Sequence, residues 1–273
     1  MDRPSDSQAA RPSKPQQDDA QPVKVVPPTW RSLYLILYNS VSALLWAVVL
    51  GRVLAIESVH GRRGVYLGVG QWTKWTQTVA ALEVVHAGLG IVRAPILTTL
   101  MQVASRFLLV WLIVPNFPAT TSRSTAYGTM LLAWSITEVI RYSYFAVNIA
   151  YGGVPKALTW LRYNTFFVLY PLGIASECWL VWLSVEPAKS WNAAYEWVLK
   201  LILFVYVPGS YILFTHMMAQ RRKVMRSLRE KTEVQHSQDW PIAWRTLPKS
   251  HRSEKIAAAI HLMEFTTRQG HWS

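Results

Sequence analysis

Six apolar segments, each close to the length of a bilayer crossing, constrain this chain more than any other feature. They run over about 32–54, 77–93, 95–114, 127–150, 162–184 and 195–216. A helix needs about 20 mostly apolar residues to cross the hydrocarbon core, and its backbone polar groups must be satisfied within the segment there. The pattern predicts an all-α polytopic membrane protein, a bundle of six transmembrane helices. The second segment is the shortest and carries Glu83 and His86, so a re-entrant or interfacial piece is its alternative reading. Arg93 and Pro95 mark a tight turn into the third. Six crossings put both ends of the chain on one side.

Charge gives the side. The net charge is +13, but it is not spread over a soluble surface, which argues against a nucleic-acid partner. Five Lys and Arg fall in residues 1–32 and eleven in residues 217–273, with few between the segments. By the positive-inside rule both termini read as cytosolic. The expected organisation is a disordered cytosolic tail over 1–29, a six-helix membrane domain over 30–217 and a basic cytosolic tail over 218–273. The basic run RRKVMRSLRE suits the headgroup zone. Residues 1–28 hold no apolar stretch of signal-peptide length, so the first span is expected to direct the chain to the membrane. The stretch HGRRGVYLGVGQWTKWTQ reads as a loop between spans one and two, with Trp72 and Trp75 as interfacial anchors. Cys178 is the single cysteine, so no intramolecular disulfide forms.

Polar residues recur on the spans: Glu83 and His86 on the second, Arg106 on the third, Glu138, Arg141, Tyr142 and Tyr144 on the fourth, Tyr170 and Glu177 on the fifth. Ionisable groups inside a bilayer are costly, and each needs a partner or a wet cavity. Glu83 with His86 and Glu138 with Arg141 stand three apart, on one helical face. Each pair reads either as glue between helices or as part of a site. HAGLGIVR has the spacing of a tyrosine-phosphatase loop, but Ala87 stands where the nucleophilic cysteine belongs. Without a thiolate no phosphocysteine forms. Cys178 is no substitute, because Ser184 stands where its arginine would fall.

Tyr170 and Glu177 lie seven residues apart, two helical turns, and share one face of the fifth span. A phenol and a carboxylate on one cavity wall form a candidate proton-transfer pair. Their surroundings also carry a resemblance. Arg162-Tyr163-Asn164, then Tyr170-Pro171-x-Gly173, then Ser176-Glu177, together with LEVVHAGLGIVRAP and EVIRYSYF upstream, resemble the 3-hydroxyacyl-CoA dehydratases, the protein-tyrosine-phosphatase-like A family. The resemblance covers roughly residues 30 to 217 and places Tyr170 and Glu177 on that family's catalytic pair. It implies a hydro-lyase of the endoplasmic reticulum membrane that converts very-long-chain (3R)-3-hydroxyacyl-CoA to trans-2-enoyl-CoA, the third step of fatty acid elongation. The condensing enzyme and the two reductases of that cycle are the implied partners.

Such an elimination needs one base for the C2 proton and one acid for the departing hydroxyl. No metal or redox cofactor is expected, and coenzyme A enters as part of the substrate. Which of Tyr170 and Glu177 is acid and which base stays open, and their Cα atoms stand ~10 Å apart along a straight helix. Pro171 can bend the helix there, and Gly173 permits close approach of substrate or another helix. Arg162, Tyr163 and Asn164 are candidates for the coenzyme A headgroup. Arg93 and Arg141 are further substrate-binding candidates, and Glu83, His86, Glu138 and Tyr142 are supporting polar groups. Two other classes fit a charged bundle: a silent scaffold of the elongation complex, and a small-solute or proton-coupled transporter.

Overall fold

A computed structural model describes residues 29–239 and, beyond them, 248, 250, 251, 253, 254 and 256. The expected N-terminal tail lies outside the described residues except for Thr29, and so does most of the chain beyond 239, including all of KIAAAIHLMEF but Ile256. Among the described residues the fold is helical, with no strand.

The first helix, α1 (Trp30–Val79), starts at an N-cap where the Thr29 hydroxyl accepts from Ser32 N–H at 3.2 Å. It folds back on itself at Gly61, whose φ of 66° suits a residue without Cβ. The arms 30–60 and 62–79 run antiparallel. Tyr38 Oη donates to Val79 O at 3.3 Å near one end, and Arg52 Nη2 to Gly68 O at 2.8 Å near the other.

This corrects the expected loop over 60–77, which is a helical arm. Its glycines serve packing. A Cβ on Gly64 would stand 2.7 Å from His60 Cβ, and one on Gly68 2.4 Å from Ile56 Cδ1. Small residues four apart let two helices approach closely in a membrane. Trp72 and Trp75 sit on this arm, Trp72 under Arg52 and Trp75 edge-on to Trp111.

A break at Ala80 leads into α2 (Ala81–Gly88). Residues 89–95 then form the turn expected around Arg93 and Pro95, with Gly90 at φ 68°. The second helical segment is thus 62–88, displaced from the expected 77–93. Next come α3 (Ile96–Phe107), a π-helical stretch Leu108–Ile113, α4 (Val114–Asn116) and α5 (Pro118–Arg123). Pro115 lacks the N–H that an α-helix would give to Trp111 O, which accounts for the irregular winding.

The Ser124 hydroxyl caps α6 (Thr125–Tyr151), which ends at Gly152 in the left-handed region. The fifth segment is two pieces, α7 (Lys156–Asn164) and α8 (Phe166–Lys189), joined at Thr165. The last helix, α9 (Ala193–Asp239), runs past residue 217 without a break.

Among the described residues, four stretches are long and apolar enough to cross a membrane: Trp30–Gly61, Ile96–Asn116, Lys156–Lys189 and Ala193–Val234. The segments 62–88 and 125–151 are not among them, although both are helical. Between them they carry Lys74, Glu83, Glu138 and Arg141.

The core lies where the two arms of α1 meet α6, around Trp46, Val49, Val53, Val69, Met130 and Leu131. Ring contacts give the register of α1 on α6: Tyr38 meets Tyr142 and Trp46 meets Trp134, so the two run antiparallel. On the other side, α8 packs between α6 and α9. Large apolar side chains on the outer faces of α1 and α9, such as Leu37, Leu44, Phe204 and Val207, are exposed, as a lipid-facing surface requires.

Candidate active site

A cavity of about 360 Å³ opens between these helices. That is the size of an ordinary small-molecule pocket. Tyr170 and Glu177 both line it, as their two-turn spacing predicts. They do not bond to each other. The Tyr170 hydroxyl donates to the Ser210 carbonyl of α9 at 2.8 Å.

Glu177 is 4% exposed and is held from two other helices. The Trp134 indole N–H donates to Oε1 at 2.9 Å, and the Tyr206 hydroxyl donates to Oε2 at 3.1 Å. A carboxylate with a donor on each oxygen is fixed in orientation and keeps lone pairs free to accept a proton. Gly173 lies between the two residues on α8, and a Cβ there would stand 3.8 Å from both Ala133 Cβ and Trp134 Cδ1. A Cβ at that distance would sit in ordinary van der Waals contact, so the approach of α6 to α8 does not depend on the glycine.

Trp134 and Tyr206 are functional candidates that the sequence reading passed over. A tryptophan and a tyrosine among many aromatic residues look like filler, and only the tertiary pairing marks them.

Above this pair sits an ionic cluster. Arg141 makes a two-pronged pair with Glu83, Nη1 to Oε2 at 2.8 Å and Nη2 to Oε1 at 2.6 Å. Its Nε donates to Glu138 Oε2 at 2.6 Å, so the expected pairing of Glu138 with Arg141 is present. Arg106 of α3 pairs with the other Glu138 oxygen, and Tyr142 donates to Glu83. Two carboxylates and two guanidinium groups thus neutralise one another across α2, α3 and α6, which suits a low-dielectric setting. The cluster touches the reaction site through Arg106, whose guanidinium lies 4.9 Å from the centroid of the Trp134 ring.

His86 turns away from Glu83 and bonds instead with the Tyr34 hydroxyl at 2.8 Å. Both residues line the cavity, but their hydrogen bonds go to different partners.

Arg162 and Tyr163 line the cavity on the same side of Glu177 as the ionic cluster, against Tyr144 and Phe145 of α6. The Arg162 guanidinium lies over the rings of Tyr144, Phe145 and Tyr163 at 4.4 to 5.6 Å, and its Nε is buried without a hydrogen-bond partner among the described residues. Asn164 accepts from Arg221 of α9 at 3.0 Å and lies off the cavity wall. Arg93 is exposed, and its neighbours Val92 and Ala94 line the cavity while it does not. No group of His, Cys, Asp or Glu among the described residues is arranged to hold a metal ion.

Comparison with known proteins gives the family. The family model described as "Protein tyrosine phosphatase-like protein, PTPLA" matches residues 77–227. A protein of Schizosaccharomyces pombe named "Probable very-long-chain (3R)-3-hydroxyacyl-CoA dehydratase" is 43% identical over 199 residues, 71% of this chain and 93% of that protein. PASTICCINO 2A of Oryza sativa subsp. japonica, a very-long-chain (3R)-3-hydroxyacyl-CoA dehydratase, is 39% identical over 208 residues, 71% of this chain and 94% of its own. The human very-long-chain (3R)-3-hydroxyacyl-CoA dehydratase 2 is 30% identical over 211 residues, 72% and 82% respectively. No solved structure gives a significant match. With a family match over more than half its length and relatives that it covers almost end to end, this chain belongs to the protein tyrosine phosphatase-like, PTPLA, family.

Proposed function

We propose that the chain dehydrates very-long-chain (3R)-3-hydroxyacyl-CoA to trans-2-enoyl-CoA by acid–base elimination between Glu177 and Tyr170. The observation that carries this reading is the carboxylate of Glu177, buried on a cavity wall it shares with Tyr170 and gripped by Trp134 and Tyr206. Glu177, which accepts from two donors, is the base that takes the C2 proton. Tyr170, whose hydroxyl is a donor, is the acid. As the C2–H bond breaks, its electron pair forms the C2–C3 double bond, and the 3-hydroxyl leaves with the Tyr170 proton as water. That water returns the Glu177 proton to the tyrosinate and resets the pair. Acid and base groups of this kind contribute roughly 10²–10⁴-fold each.

The coenzyme A end belongs at the Arg162 and Tyr163 mouth. Arg162 offers an undercommitted guanidinium there, and Arg93 and Arg141 lie on the same side of the bundle. Asn164 acts by anchoring Arg221 next to Tyr163. Glu83, Glu138 and Tyr142 hold the wall, with His86 beside them. This mouth faces the cytosol in a six-span topology in which 62–88 and 125–151 cross as well, with Glu83, Glu138 and Arg141 paired inside the bundle. Both termini are then cytosolic, and the membrane is that of the endoplasmic reticulum. The substrate comes from a ketoacyl reductase and the product passes to an enoyl reductase of the elongation cycle. The enzyme needs no metal or redox cofactor for these steps.

The test is conversion of a long-chain 3-hydroxyacyl-CoA by purified protein, with Tyr170→Phe and Glu177→Gln alongside. Wild type turns over and each variant falls by about 10²-fold or more. A well-folded wild type that leaves the substrate untouched overturns the reading.

A further inference from the structure

Gln77 is 1% exposed, and among the described residues neither atom of its side-chain amide has a hydrogen-bond partner. It is also on the wall of the reaction cavity. A buried polar group left unbonded is costly, so an amide kept in this position is explained by a partner that arrives with a ligand.

The register of the helices gives its height. Tyr38 reaches Val79 in the second arm and meets Tyr142 on α6, while Trp46 meets Trp134. Gln77 therefore stands level with the part of α6 between Trp134 and Tyr142, where Glu138 lies. It belongs to a different wall from Tyr170 and Glu177, which are both on α8.

The geometry points to Gln77 as the donor that binds the thioester carbonyl oxygen of the acyl-CoA during elimination. This rests on the dehydratase reading above. In that reaction Glu177 deals with the C2 proton and Tyr170 with the 3-hydroxyl. The remaining polar atom of the reacting unit is the thioester oxygen. It is an acceptor, and it takes up negative charge as the C2–H electron pair delocalises toward it.

The cationic donors nearby are already engaged, Arg106 with Glu138 and Arg141 with both Glu83 and Glu138. The Gln77 NH₂ offers two N–H bonds that nothing in the fold uses. A fixed neutral donor aimed at developing charge stabilises the transition state more than the ground state, and one such donor is worth roughly 10²–10³ in kcat.

The experiment uses the purified full chain in lipid and compares wild type with Gln77→Leu, which keeps much of the volume and removes the amide. Three quantities are read: kcat on a long-chain 3-hydroxyacyl-CoA, the melting temperature, and affinity for a matched pair of ligands. The pair is the enoyl-CoA thioester and an S-alkyl-CoA thioether of the same length, which has no carbonyl.

We expect kcat to fall about 10²–10³-fold and thioester affinity about 3–10-fold, the worth of one neutral hydrogen bond. Thioether affinity stays level, and the melting temperature is unchanged or raised, because an unbonded amide has been removed. Retention of kcat within about threefold of wild type overturns the proposal, since it falls far short of a lost oxyanion donor. A parallel loss for both ligands, or a lower melting temperature, also overturns it, because the amide is then bonded within the fold. A wild type inert on 3-hydroxyacyl-CoA is a separate result, which removes the dehydratase reading itself.

Discussion

Replacing Arg141 with Met separates two carboxylates from their shared cation. The side chain makes two bonds to Glu83 and one to Glu138, all between 2.6 and 2.8 Å. Glu138, 3% exposed, keeps Arg106. Glu83, 19% exposed, keeps only the Tyr142 hydroxyl. Breaking a buried ion pair by removing one partner costs about 3–5 kcal/mol, because a charge is left uncompensated. The cavity admits some water to Arg141 and Glu83, which places this case near 3 kcal/mol, roughly a hundredfold in the folded-to-unfolded ratio. Reversible unfolding of the purified protein in mixed micelles, with increasing denaturing detergent, measures it. Arg141→Met combined with Glu83→Gln removes the stranded charge and should recover at least about 1 kcal/mol. If Arg141→Met stays within about 1 kcal/mol of wild type, the cluster is not a structural keystone, and its charges are solvated rather than paired.

Further outcomes are expected of the site and the hairpin. Trp134→Phe removes the indole donor to Glu177 while leaving most of the ring in the core, and should lower turnover about 10–100-fold without unfolding, read by kcat and near-ultraviolet circular dichroism. Tyr206→Phe removes one donor and nothing else, and its loss should be no larger than that of Trp134→Phe; equal wild-type activity in both would show that Glu177 needs neither grip. Gly64→Ala and Gly68→Ala separate two kinds of close contact in the same unfolding assay. The first meets His60 Cβ, which moves only with the backbone, and should cost about 1–3 kcal/mol. The second meets Ile56 Cδ1, the far end of a side chain that can rotate away, and should cost less.

Local features of the fold were legible in the sequence, and distant ones were not. The apolar stretches on α1, α3, α8 and α9 announce themselves by length, and the bond between Glu138 and Arg141 follows from a spacing of three. The arm 62–79 was misread because glycines and charges look like a loop, yet Gly64 and Gly68 at four-residue spacing carried the signal of a helix contact. The same limit applies at the site. Tyr170 and Glu177 meet on one cavity wall because their spacing puts them on one face of one helix. Their partners were missed because Trp134 is 43 residues from Glu177 in the chain and Tyr206 is 29. Periodicity says which face of a helix is polar and nothing about which helix it will meet. His86 shows a further limit of spacing: it lines the cavity together with Glu83, yet its hydrogen bond goes to Tyr34, 52 residues away in the chain.

The pairing of Glu83 with Arg141 spans 58 residues of chain. A ribosome adds residues at roughly 5–20 per second, so the carboxylate emerges about 3–12 s before its cation exists. During that interval the arm 62–88 carries an unmatched negative charge and is a poor candidate for release into lipid by itself. In the proposed six-span topology the hairpin of α1 is completed only when α6 arrives. Lengthening the connection between α3 and α6 would prolong the interval, and in this chain that connection is kept short by α4 and α5. The charges that line the cavity of the finished protein thus also tie the completion of the α1 hairpin to the later synthesis of α6.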